Sequence, residues 1–372
     1  MRYFYMDSLR GILMVAGVFY HALLIYGTQG GSVLNDPGHY VALDYLAALV
    51  HLFRMETFFV ISGFFMGMVL TKNTSLPALL KKRTMLILLP FCSVFFTLNV
   101  IQAHFMSTTG YFKVIHLWFL VNLLIYTYIV LLILPRHWLT KLDDSIFVRR
   151  GLINRYTFSL LAFVISSTVL ALIKFNIIPK VVFQLSPALL VQFFIYYLLG
   201  LMFYSSAHLY SKMRHFRLLD WVILLPALVI YLGLLHSDLY DGLIKAAVMD
   251  LLRNFLALSL AMLALQLFYT CFNREIPFLR RVSDAAYSIY LFHYVIVVGI
   301  AAYLLPLAWD PLLKFTLVVI PGACIPYLLH RYVISRHAWL LLLFNGKEVA
   351  KSQRTTAPAM AAREETLAKD NG

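Results

Sequence analysis

Charge is scarce in this chain, and negative charge is scarcest. Of 372 residues, 17 are Asp or Glu and 31 are Lys or Arg, so charged residues make up 13%. Soluble domains carry about 25%, and a soluble globular protein is excluded. Cysteine is nearly missing. Cys92, Cys271 and Cys324 are odd in number and show neither CxxC nor CxxH spacing, which removes a disulfide framework and a zinc site from consideration. They read as small apolar packing residues, and no metal is expected. Internal repeats and a separate soluble domain are also lacking. The net charge of +14 therefore has no module on which to hold nucleic acid, and no nucleic-acid partner is expected.

What fills the chain instead is apolar sequence, 62% of residues with a mean hydropathy of +0.81. A hydrocarbon core of about 30 Å needs about 20 apolar residues per helix. Ten runs qualify, at 11–27, 46–70, 85–105, 114–134, 157–175, 188–204, 219–235, 246–271, 285–305 and 312–334. The fold class is an all-α polytopic membrane protein of about ten transmembrane helices, surrounded by membrane lipid. Basic residues alternate with these runs. Arg2 and Arg10 precede span 1, Lys72, Lys81, Lys82 and Arg83 follow span 2, and Arg136, Lys141, Arg149, Arg150 and Arg155 follow span 4. Lys212, Arg214 and Arg217 follow span 6, and Arg274, Arg280 and Arg281 follow span 8. The opposite loops hold Lys113, Lys174, Lys180, Lys245 and Lys314. The positive-inside rule then places both termini in the cytoplasm. Span 1 lacks a small-x-small cleavage site and reads as a retained signal anchor. Residues 1–344 form one transmembrane domain, and 345–372 lose apolar character and read as a flexible cytoplasmic tail.

Ionisable residues that survive in such a background carry the functional information, because a charge inside the bilayer costs several kcal/mol unless it faces a bundle interior or a wet cavity. Arg10 and His21 are eleven positions apart, a rise of roughly 16 Å on one helix face. Asp7, Arg10, Gly17 and His21 form a single stripe. His51 and Arg54 are i and i+3 neighbours on span 2, while Glu56 projects elsewhere, towards another helix. Span 4 begins with His116 and Trp118, span 8 places Asp250, Arg253 and Asn254 together, and span 9 carries Tyr287, Tyr290 and His293. A polar cavity is the favoured reading of this set. Ion pairs of Arg54 with Glu56 or Asp250, structural histidine hydrogen bonds and packing of Trp118 remain the bland alternatives. A secondary transporter of an anion or glycan also fits buried Arg, His and Asp, although Pro226, Pro321 and Pro326 find no convincing partner in the first half.

Several of these stretches resemble the acyltransferase-3 membrane family. Asp7-Ser8-Leu9-Arg10, ten residues, then His21 is similar to the family's first helix. His51-Leu52-Phe53-Arg54-Met55 running into Phe58 through Phe65 resembles its second, and Ser283 through His293 its ninth. His116 through Leu120 adds a further piece. One feature departs from the pattern: the family often carries two arginines three residues apart before span 3, whereas Arg83 is followed by Leu86 here.

Within the family the arrangement most resembles the branch associated with succinylating osmoregulated periplasmic glucans. The resemblance implies transfer of a succinyl group from cytoplasmic succinyl-CoA to hydroxyls of a periplasmic glucan, in a bacterial inner membrane. No tightly bound cofactor is implied, and succinyl-CoA or acetyl-CoA serves as cosubstrate. His21 is the expected acid-base residue, with Arg10 and Asp7 on its stripe. His51, Arg54, His116, Trp118, Asp250, Arg253, Tyr290 and His293 are the expected substrate contacts, and Lys81, Lys82 and Arg83 those of CoA. An arginine fork at Arg54 or Arg253 suits the second carboxylate of succinyl; oxyanion stabilisation and structural pairing are the competing roles. O-acetylation of lipopolysaccharide or another envelope polymer is the alternative within the fold, and a homodimer is left open.

Overall fold

The structure is a computed structural model that describes residues 3–28, 34–72, 74–106, 114–134, 148, 151–237 and 242–347. Arg2, Lys113, Arg136, Lys141, Arg149, Arg150 and the tail from Glu348 lie outside the described residues.

Apolar runs become helices because a backbone in hydrocarbon must satisfy every N–H and C=O internally. In chain order these are α1 (Phe4–Tyr26), α2 (Val41–Leu70), α3 (Leu76–Phe95), α4 (Leu98–Phe105) and, after a 3₁₀ turn at Ile115–Leu117, α5 (Trp118–Ile133). Then come α6 (Arg155–Lys174), α7 (Pro187–Ser205), α8 (Ala207–Arg214), α9 (Leu218–Leu235), α10 (Leu243–Cys271), α11 (Pro277–Leu304), α12 (Pro311–Tyr332) and α13 (Ala338–Asn345). Among the described residues nine helices are long and apolar enough to cross a membrane, and the count rises to ten when α3 and α4, bent by 43° at their break, are taken as one span. The chain is an all-α multi-pass membrane protein.

Three expectations shift. Span 1 starts at Phe4 and span 9 at Pro277, since helical hydrogen bonding continues past the apolar run; Asp7, Arg10, Ser283 and Asp284 are thus helical. Span 3 is two pieces. Asn345 to Lys347, assigned to the tail, belong to the packed body: Asn345 is buried, its Oδ1 accepts from Ser288 Oγ at 3.2 Å, and Gly346 ends α13 in the left-handed region at φ +60°.

The interior is a column around α1, α2 and α11. α2 and α11 are the most deeply buried spans, while α6 and α9 leave most of their apolar surface outward. α2 crosses α7 at Gly63 and Gly200, where an added Cβ would collide with the Tyr197 and Val60 carbonyls. Such backbone contact is how helices associate when burial offers no driving force.

Helix ends are tied locally. Asn154 accepts from the N–H groups of Tyr156 and Thr157 while Thr157 Oγ1 accepts from the Asn154 N–H, a complete capping box on α6. Asp310 caps α12 through Leu312 and Leu313 and also accepts from Tyr40 Oη at 2.8 Å, and that hydroxyl holds its carboxyl below the usual range. Pro90 interrupts α3 and denies the Leu86 carbonyl its ordinary donor; Tyr287 Oη of α11 donates to that carbonyl at 3.1 Å. At the face opposite the N-terminus, Lys314 Nζ and Asp36 form a 2.7 Å ion pair, both side chains 2% exposed. It ties the α1–α2 connection to α12.

Candidate active site

Four helices turn one stripe each towards a common column. α1 contributes Arg10, Met14, Gly17, His21 and Leu24, and α2 contributes His51, Arg54, Met55 and Phe58 before continuing through Ile61, Ser62 and Phe65. The spacing of three and four is that of a single helix face. α11 supplies Ser283, Asp284 and Tyr287 at the N-terminal side and Tyr290, His293 and Tyr294 beyond, while α5 faces them with Trp118 and Phe119. Two cavities result, stacked along the column. One, of about 250 Å³, holds His21, His51, His116, His293 and Arg54. The other, of about 280 Å³ and nearer the N-terminal face, holds Arg10, Arg83, Lys347 and Asp284.

Met14, Phe58 and Phe119 line both. Phe58 and Phe119 meet edge on, their ring centroids 5.5 Å apart, so the histidine cavity and the basic cavity are divided by a thin apolar septum rather than by a helix.

In the histidine cavity the rings fix one another. His21 lies 5.3 Å from His293 and 4.8 Å, edge on, from Tyr294. Tyr294 stacks on His116 at 5.0 Å, and Tyr20 on His51 at 4.9 Å. Tyr290 Oη donates to the His116 carbonyl at 2.7 Å, which pins the 3₁₀ turn to α11. His293 Nδ1 lies 2.8 Å from the Tyr290 carbonyl and 3.0 Å from that of Ile289. Carbonyls only accept, so Nδ1 carries the proton and Nε2 of the neutral ring is left as an acceptor. Among the described residues, that Nε2, His51 Nδ1 and Arg54 Nε have no hydrogen-bond partner.

Arg54 reaches this position because of a glycine. Its guanidinium packs where a Cβ at Gly17 would be, one helical turn from His21, and it lies 5.0 Å from the Tyr20 ring centroid.

Other residues singled out by the sequence sit elsewhere. Glu56, for which no partner was evident, is 3.8 Å from Arg253 and 3.4 Å from Gln192 Nε2, and Arg253 Nη1 donates to Gln192 Oε1 at 3.2 Å. These groups join α2, α7 and α10 outside the cavity lining. Asp250 accepts from Ser166, Ser167 and Asn254 at 3.0–3.1 Å and fastens α10 to α6. Asp7 pairs with Arg10 at 3.6 Å, and Arg10 donates to Ser283 Oγ at 3.3 Å. Trp118 stacks on Phe193 at 5.3 Å while lining the histidine cavity. Lys81 and Lys82 are exposed and outside the basic cavity's lining, whereas Arg83 is part of it. Sequence reasoning missed Tyr20, Tyr294 and Lys347. The tyrosines looked like ordinary interfacial aromatics, but both fall on the stripes that carry His21 and His293, which is a usable signal.

Residues 3–331 match the acyltransferase-3 family along its acyltransferase domain. The chain belongs to that family. The acyltransferase is also similar to Glucans biosynthesis protein C of Salmonella schwarzengrund, with 25% identity over 392 aligned positions covering 96% of this chain and 98% of the relative. The protein of that name from Salmonella typhi is 28% identical over 209 positions, 51% of this chain and 52% of the relative. No solved structure matches. Family membership makes the chain an acyltransferase and sets the transporter reading aside.

Proposed function

We propose that this acyltransferase moves a succinyl group from succinyl-CoA, bound on the cytoplasmic side, to hydroxyls of a glucan on the periplasmic side of a bacterial inner membrane. The carrying observation is the pair of stacked cavities with Met14, Phe58 and Phe119 common to both. A donor and an acceptor confined to opposite sides of a membrane need such a column. The distribution of basic loops supports a cytoplasmic N-terminal face; on that reading the basic cavity receives CoA and the acyl-pantetheine arm crosses the septum. The relatives named for glucan biosynthesis support the acceptor.

The step is a direct acyl transfer. Neutral His21 takes the proton of a sugar hydroxyl as its oxygen attacks the thioester carbonyl; the tetrahedral intermediate expels CoA thiolate, and His21 returns the proton to sulfur. Imidazole suits both halves, its ordinary pKa being near 6.5. His293 Nε2, an acceptor, and His51 hold neighbouring hydroxyls. Arg54 holds the second carboxylate of succinyl: a buried guanidinium with an unpartnered Nε is stabilised by a bidentate anion. Arg253, already engaged by Gln192 and Glu56, does not compete for that role.

The test is acyl transfer by purified protein in nanodiscs, with radiolabelled succinyl-CoA or acetyl-CoA and a β-glucan. Succinyl incorporation by wild type that is lost in His21→Ala supports both reaction and residue. Transfer from acetyl-CoA alone would replace succinyl by acetyl, and a normal rate in His21→Ala would remove the base.

A further inference from the structure

The basic cavity is completed from the far end of the sequence. α13 packs against α3 and leads into Gly346, whose left-handed turn is closed by its N–H donating to the Leu342 carbonyl at 2.8 Å. A Cβ at Gly346 would run into the Met85 carbonyl and the Leu86 Cα, so the turn lies directly on α3. Just before it, Asn345 is fixed to Ser288 of α11. This clasp between α3 and α11 brings Lys347 to a cavity already lined by Arg10 and Arg83. One carboxylate, Asp284, shares the lining, and Asp7 sits beside Arg10. The lining thus carries three cations and one anion, and the third cation, Lys347, is exposed.

We propose that Lys347 binds a phosphate of the CoA cosubstrate, so that the segment after the last membrane helix is part of the donor site. The proposal rests on the donor reading above. A lysine suits it because an ammonium on a flexible stem contacts phosphate as a point charge without a fixed approach. Arg10 and Arg83 are anchored deeper, on α1 and α3, and the clasp sets the third charge outside them, where the nucleotide end of the molecule would remain when its acyl end reaches the septum.

The experiment uses the full chain in nanodiscs, comparing wild type with Lys347→Ala, Lys347→Glu and Lys347→Arg. Binding of radiolabelled CoA is read alongside steady-state succinyl transfer. Lys347 is exposed, so these substitutions leave packing intact. The expected result is a KM for succinyl-CoA and a Kd for CoA about three- to tenfold higher in Lys347→Ala, higher still in Lys347→Glu, near normal in Lys347→Arg, with kcat within twofold. Added salt should narrow the gap. With 3′-dephospho-CoA, a penalty that vanishes assigns the contact to the 3′-phosphate, and one that persists assigns it to the pyrophosphate; either supports the proposal. Unchanged CoA affinity in Lys347→Ala and Lys347→Glu overturns it. Wild type that binds CoA but transfers no acyl group from it would sink the donor reading while the variants' Kd still decides on Lys347. Wild type that does not bind CoA would overturn both.

Discussion

The two cavities share one column and three side chains yet are built on different principles. In the histidine cavity rings hold one another and the one long side chain is seated against them: Tyr20 against His51, Tyr294 against His116, Tyr290 on the backbone at His116, and Arg54 packed at Gly17 and Tyr20. In the basic cavity the charged atoms end long stems from α1, α3 and the segment after α13. Bond making demands reacting atoms held near 3 Å in one geometry, while a phosphate chain can be met by charges that adjust to it. The difference separates a place for chemistry from a place for grip.

That comparison can be broken from the rigid side. His21→Ala is expected to lower kcat for acyl transfer about 10²–10⁴-fold, with little change in CoA binding; a rate near normal in correctly inserted protein would remove chemistry from that cavity. Glu56→Ala tests whether the ion pair outside the column is architecture. Arg253 is 24% exposed and keeps Gln192 when Glu56 is lost, so the cost is about 1–3 kcal/mol, to be seen as a lower midpoint of thermal unfolding in detergent, with donor preference unchanged. Arg54→Lys sharpens the picture: succinyl transfer should fall about 10–100-fold relative to acetyl transfer, the worth of a charged hydrogen bond of about 1.5–3 kcal/mol. Equal losses for both donors would take the carboxylate away from Arg54. On the compliant side, Lys81→Ala with Lys82→Ala should change KM for the donor by less than about twofold, as befits exposed charges outside the lining.

The sequence carried the part of this arrangement that depends on periodicity. Arg10, Gly17 and His21 share a face whatever the neighbours do, and so do His51 and Arg54, which is why the column could be read before its other walls were known. The rule that a charge within a span marks a site selected Asp250 and Arg253 as readily as Arg54, because it cannot tell a cavity from a helix contact. What separates them are partners distant along the chain: Ser166 and Ser167 for Asp250, Gln192 and Glu56 for Arg253. Lys314 counted as a loop charge for topology, yet it is buried with Asp36, a pairing across 278 positions that no local pattern announces. Lys347 was hidden by composition, since the sequence turns polar at Asn345 while Asn345 is buried and Lys347 lines a cavity.

The proline in α3 has a consequence for how this chain can change through descent. Pro90 leaves the Leu86 carbonyl to be answered by Tyr287, from a helix some 200 positions later, so the two positions are not free of one another. A lineage that first replaces Pro90 restores the local donor and can afterwards dispense with the tyrosine hydroxyl. A lineage that loses the hydroxyl first must carry an unanswered carbonyl beside the basic cavity until the proline goes. The order of the two substitutions, and not only their sum, decides how much stability the intermediate descendant keeps.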